Sequence, residues 1–415
     1  MKKIHILILL LLTVGFTYGQ QMKEVTPPFN IKTVAFNQGG YNVVPIFKTG
    51  DSFQLTFDDL YGNEADYYYT ITHCDYNWNP SNLIKQEYLQ GMDDLRIKDY
   101  VNSFNALQLY SHYKLQIPNE NSRILISGNY LLQVLNSSRE VVFSRKFIMY
   151  DNQVNVPLQI KRSRDISTIE KMQNLEFSVK MGDLLLQNPV SNVKVSLIQN
   201  GKLNQAIQNI KPQFTIGNDL IYKYNKETQF YGGNEFFNFD NNNIRGTSNS
   251  VAKITSGDLY NTILHTNQSN PEGIYTYFPD VNGNFYVRNI NGENPNIEAD
   301  YSWVYFTLDR PNSLGNNDIY VTGMFNNYAL TEENKMIYNK DRRLFEAALL
   351  IKQGFTNFEY TLLNKKGGID YENAINGNHY QTENLYTVLV YYKGNNDRYY
   401  KVIGKGEANS QNIVN

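Results

Sequence analysis

Ser52-Phe53-Gln54-Leu55-Thr56-Phe57 alternates polar and apolar side chains at every step, the period of two that turns one face of a β-strand toward a core. Tyr113, Leu115 and Ile117 repeat the device just before Pro118. Tyr130 to Leu135 and Val141 to Tyr150 flank the turn-rich Asn136-Ser137-Ser138-Arg139, so they read as a hairpin that closes a first unit near Asp151. Leu175, Phe177, Val179 and Met181 open a second unit, and Val193, Val195 and Leu197 lead into Asn200-Gly201, a favoured two-residue hairpin turn. From Thr215 to Asp300 the runs shorten and polar clusters lengthen, as rim loops of a sandwich do.

A third unit is expected from Tyr301, where Trp303, Tyr305 and Thr307 interleave with Val304, Phe306 and Leu308 in a run apolar on both faces. Ile319 to Thr322, Arg343 to Lys352, Phe355 to Leu363 and Tyr386 to Tyr392 follow as strands, with Gln353-Gly354 a tight link and the tail from Gly404 frayed. The one helical candidate of any length, Asn82 to Leu95, has Ser81 as a possible N-cap and is limited by Gly91. The expected architecture is all-β, with three consecutive immunoglobulin-like β-sandwich domains over 20–150, 151–300 and 301–415.

Composition agrees with that reading. With 41% apolar and 19% charged residues, and 33 Tyr and 22 Phe among 415 positions, the chain is neither disordered nor a coiled coil. A formal net charge of −2 leaves no basic excess to release counterions from nucleic acid. Lys2 and Lys3 precede an apolar run from Ile6 to Val14, and Thr17-Tyr18-Gly19 offers small residues before a cut at Gln20. Residues 1–19 therefore read as a secretory signal peptide, since the run is shorter than the ~20 residues that span a bilayer. No later stretch is apolar enough to insert, so a soluble mature protein is expected.

Catalytic patterns are weak. Cys74 is the lone cysteine, which excludes an internal disulfide and paired-Cys zinc sites. His73 adjoins it, but successive side chains of a strand point to opposite faces, so a thiol dyad cannot form there. His112, His265 and His379 lack metal-ligand spacing. Asp58-Asp59 and Asp93-Asp94 are adjacent pairs with no apolar context to raise one pKa. Gly39-Gly40, Gly232-Gly233 and Gly367-Gly368 are turns without the Lys-Ser/Thr of a phosphate loop, and Asp240 to Asn243 lacks the alternating ligands of a calcium loop. No catalytic, metal or cofactor residue is assigned.

Four segments carry a resemblance. The run His73-Cys74-Asp75-Tyr76-Asn77-Trp78-Asn79-Pro80, continuing to Gly91, is similar to the N-terminal signature of the type 9 secretion system plug protein family. The stretch from Phe230 through Asn234, Glu235, Phe236 and Phe239 to Asp240 resembles the family's central motif, although Gly232-Gly233 stands where a proline-containing turn is commoner. Ile319 to Asn327, with Phe325 and Asn326, and Tyr380 to Tyr386 resemble the remaining blocks. The resemblance implies a non-enzymatic periplasmic protein that binds the inner mouth of an outer-membrane translocon barrel and closes it. Trp78 in its turn is either pinned over a sandwich end or displayed to a partner. Gly323 to Tyr328 is also similar to the early strand and turn of glycogen-binding-type sandwiches, with Tyr328 where Trp is common, so an exported carbohydrate-binding protein is the alternative.

Overall fold

The computed structural model describes residues 21–310 and 317–413. The expected signal peptide lies outside them. Among the described residues strands dominate, and each helix is a single turn.

Two five-stranded sheets form the first sandwich. One contains Ile31–Gln38, Phe53–Asp59 and Ser111–Ile117, with Tyr41–Asn42 and Asp99–Asn102 at its edges. The other runs Ile46–Lys48, Val141–Tyr150, Gly128–Leu135, Tyr68–Cys74 and Leu95–Arg96. Phe53, Leu55 and Phe57 face inward as their alternation predicts, and Phe53 stacks on Phe47 with ring centroids 4.1 Å apart. Gly128–Leu135 and Val141–Tyr150 form the expected antiparallel hairpin.

Beyond Asp151 the strand pairing leaves the expected order. Leu385–Tyr392 pairs antiparallel with Val193–Gln199 and with Lys401–Asn409, so the last strands of the chain build a sheet of the middle sandwich. That sheet packs on another made of Leu158–Arg162, Met172–Val179, Asp219–Tyr222 and Phe214–Ile216. The third sandwich is inserted between these halves. Phe237–Asp240 and Phe285–Val287 pair with Gly354–Leu363, whereas Val251–Ser256, Tyr260–Leu264, Tyr301–Asp309 and Leu344–Lys352 form the opposite sheet. The sandwiches are therefore not consecutive. Short polar-rich runs such as Phe237–Asp240 supply strands to the third core through Phe239.

Four local expectations change as well. Asn82 to Leu95 holds only the turn Lys85–Tyr88, because Leu89–Gly91 pairs with Ser122–Ile124. At Gly91, φ is +87°, and a Cβ would stand 2.0 Å from the Asn121 carbonyl oxygen, so the close pairing needs glycine. Gln353-Gly354 does not close a hairpin; the chain changes sheets there. The tail is ordered strand to Asn409, since Gly404 and Gly406 let the backbone pack directly on Val154 and Val156. Asn200-Gly201 has the two positive φ values of a type I′ turn, +48° and +70°, but it closes no two-residue hairpin: the short turn Leu203–Gln205 intervenes and Leu197 pairs with Ile207.

Candidate functional site

The motif residues gather where one sandwich meets the next. At the first joint, Cys74, Tyr76, Trp78 and Leu131 pack against Ile198, Leu389, Tyr391 and Val402 of the middle sandwich. The turn that delivers them is built locally: Asp75 Oδ1 accepts from the amides of Asn77 and Asn79 at 2.8 and 2.9 Å, the turn chemistry that an aspartate provides. Trp78 is 6% exposed, with Lys146 Nζ 4.7 Å above its ring. It is pinned and not displayed. Tyr76 donates its hydroxyl to the Val195 carbonyl at 2.6 Å and accepts from the Asn209 amide at 3.0 Å. Tyr391 donates to Asn129 Oδ1 at 2.8 Å, and Asn129 in turn donates to the Asp75 carbonyl. Apolar contact and satisfied polar groups together weld the joint.

His73 and Cys74 point apart, as strand geometry requires. His73 lies among the rings of Tyr88, Tyr130 and Tyr399, and burial pushes its imidazole down to about 4. Burial pushes the Cys74 thiol up to about 12, away from the thiolate that a nucleophile requires. Neither group is prepared for general-base or thiolate chemistry at neutral pH.

The central motif crosses from the middle to the third sandwich. Gly232 sits under the His379 carbonyl, where a Cβ would come within 2.0 Å of that oxygen, while Asn384 Nδ2 donates to the Gly232 carbonyl at 2.8 Å. This close approach explains a glycine at the turn. Asn234 Nδ2 donates to the Asn376 carbonyl at 2.8 Å, so the outgoing and returning segments of the inserted sandwich are tied together. Glu235 accepts from Tyr275 at 2.5 Å and from the Glu383 amide at 3.0 Å. Burial still raises its carboxyl to about 7, against those hydrogen bonds and with help from Asp280 and Glu383. The Phe236 amide donates to Asp280 Oδ2 at 2.7 Å. Phe239 is in the third core, and Asp240 caps its own turn by accepting from the Asn242 amide at 2.9 Å.

Phe325 packs at the edge of the third core, and Asn326 closes its loop by accepting from the Gly323 amide and donating to the Val321 carbonyl. Tyr328 presents no platform: its hydroxyl is buried, and Lys202 Nζ lies 4.8 Å from its ring centre.

The first and third sandwiches meet at a buried ionic cluster that the sequence reading passed over. Asp58 Oδ2 lies 2.6 Å from Lys352 Nζ, and Asp58 Oδ1 lies 2.6 Å from His112 Nδ1. Tyr301 also donates to Asp58 Oδ2 at 2.6 Å, and Lys352 lies 4.0 Å from the ring centre of Tyr110. Burial pushes the Asp58 carboxyl up, but Lys352 and His112 more than offset it and hold the group below its usual range. Burial lowers the Lys352 ammonium, with Asp58 opposing. Asp58 ends an alternating run and Lys352 ends an apolar one. Those two positions were the available signal; only tertiary structure joins them.

Among the described residues no cluster of His, Cys, Asp or Glu is arranged to hold a metal ion, and no helix is long and apolar enough to cross a membrane. These features define a class: a body of three β-sandwiches whose distinctive residues maintain its joints. Residues 31–151 match the type 9 secretion system plug protein 1st domain, which supports the family resemblance over the first sandwich; the motif blocks from Phe230 onward lie outside the match. That family is a secretion component of the cell envelope, not a known enzyme family. The whole fold is similar to a crystal structure of a hypothetical protein from Parabacteroides merdae ATCC 43184. The TM-score is 0.88 at 28% identity, over 94% of this chain and 99% of the other. No curated protein matches the chain.

Proposed function

We propose that the protein is a non-catalytic periplasmic plug. It binds the periplasmic end of the outer-membrane type 9 translocon barrel and closes the pore when no cargo is in transit. The supporting observation is the combination of a plug-family first domain with joints buried between all three sandwiches. A wide barrel leaks unless its mouth is covered, and a body that keeps its shape can cover it without paying an ordering cost at each cycle. Because Cys74, Trp78 and Phe239 are spent on holding the body together, the contact surface is assigned to exposed residues outside those positions. It is expected to bury on the order of 1,200 to 2,000 Å². Export depends on residues 1–19, with cleavage near Gly19. The buried Tyr328 hydroxyl speaks against the carbohydrate-binding alternative.

The test is to purify translocon from native membranes, score this chain in the closed complex, and measure pore conductance with and without its gene. Co-purification and a conductance rise on deletion are expected. Absence from the complex with unchanged conductance refutes the proposal.

A further inference from the structure

All three sandwiches and the N-terminal segment converge on a cavity of about 350 Å³. Its walls include Glu24 and Thr26 of that segment, Arg145 and Lys146 of the first sandwich, Asn204 of the middle one and Asn327 of the third. Arg145 also lines two smaller cavities beside it, of about 90 and 70 Å³. Such a volume suits a group of amino-acid size.

Charges in this place do not balance. Glu24 spreads its carboxylate over neutral amides from each sandwich: Oε1 accepts from the Lys146 backbone amide at 2.7 Å, and Oε2 from Asn204 Nδ2 and Asn327 Nδ2 at 2.8 and 3.0 Å. Lys146 Nζ donates to Asn204 Oδ1 at 3.0 Å. Arg145 is 6% exposed and donates only Nη1, to the neighbouring Ser144 carbonyl at 3.0 Å. Among the described residues no carboxylate comes within ion-pair distance of Arg145 or Lys146. In the two smaller cavities Lys202 is paired with Glu359 at 2.7 Å and Lys32 with Glu333, while Lys23 stands exposed at the rim of the large one. Two buried cations thus face one carboxylate. A buried guanidinium held by one carbonyl keeps most of its donors free, and these form a planar fork matched to a carboxylate.

We propose that this cavity is a binding site for a monoanionic carboxylate, received by the Arg145 guanidinium. With Glu24, one added negative charge balances the two buried cations, and the exposed Lys23 at the rim stays in water. The carboxylate belongs either to a small organic acid or to a peptide, through its C-terminus or an acidic side chain. The assignment stands apart from pore closure, because it concerns the isolated chain.

The full mature chain is titrated calorimetrically with N-acetylglycine, glutarate, a pentapeptide with a free C-terminus, its amidated form, an amidated pentapeptide with a central Glu, and inorganic phosphate. The Arg145 Nε–H resonance is followed in parallel. Expected are saturable binding of at least one carboxylate, a shift of that resonance, and about tenfold or greater weakening in Arg145→Gln and Arg145→Lys, the second of which keeps the charge but loses the fork. Binding by the free-ended peptide alone, or by the Glu peptide alone, assigns the peptide source; binding by the small acids assigns the other. If Arg145→Gln does not fold, the lysine variant and the wild-type resonance carry the test. Saturation by no carboxylate, tighter binding of phosphate, or affinity unchanged in the lysine variant with a static resonance overturns the proposal.

Discussion

Replacing Lys352 with Met removes the ammonium 2.6 Å from Asp58 Oδ2 and leaves a carboxylate buried between the first and third sandwiches. Breaking one side of such a pair costs about 3–5 kcal/mol. Asp58 keeps His112 and Tyr301 as partners, so the expected cost is near the lower end, about 3 kcal/mol. The damage is expected at the joint and not throughout the chain. Native-state hydrogen exchange is expected to show faster exchange in Tyr301–Asp309 and Leu344–Lys352, with little change in Gly128–Leu135 of the first core. Adding Asp58→Asn to Lys352→Met removes the orphaned charge and is expected to recover more than about 1 kcal/mol. The pH dependence has a definite sign. Since Asp58 is held below its ordinary carboxylate value, its contribution is complete above that value and disappears as pH falls through the depressed one. A single-mutant cost under about 1 kcal/mol, or effects additive within about 0.5 kcal/mol, refutes the idea of a coupled buried pair.

Glu235, raised to about 7, has the opposite sign. Its contribution is full below the unfolded value near 4.5 and is lost as pH rises through 7. Glu235→Gln is expected to flatten a loss on the order of 2 kcal/mol in a pH series of denaturation curves. Trp78→Ala opens a cavity at the first joint and is expected to cost about 3–5 kcal/mol; an unchanged denaturation midpoint would put the ring outside the core. Gly232→Ala drives a Cβ against the His379 carbonyl, and circular-dichroism melts are expected to report about 2 kcal/mol or more of destabilisation.

Alternation along Phe53 to Phe57 was enough to identify a strand and its inward face. It carried no information about the opposite face, because a polar side chain looks the same whether water or a second sandwich covers it. Asp58 therefore read as solvated, although the third sandwich buries it completely. The same limit affected Trp78, for which the turn was legible in Asp75 to Pro80 but its cover, Leu389 and Tyr391, comes from more than 300 positions later. Strand order was hidden for a related reason. Tyr386 to Tyr392 announces a strand, and nothing local says that it pairs with Val193–Gln199. Arg145 did leave a faint signal: it falls in step with Phe143, Phe147 and Met149 on the inward alternation of Val141 to Tyr150, next to Lys146 on the other face, but nothing local says what a cation there would meet.

The insertion of the third sandwich bears on how the molecule is made. Val193–Gln199 leaves the ribosome nearly two hundred positions before its partner Leu385–Tyr392, so the middle sheet has to wait, with one edge open, while the inserted unit is synthesised and closes first. Loops of that length form slowly, and open sheet edges invite wrong pairing. A nascent chain released just short of Leu385 therefore has two complete lobes and one that cannot mature, and early termination is most damaging at the centre of the molecule instead of at its end.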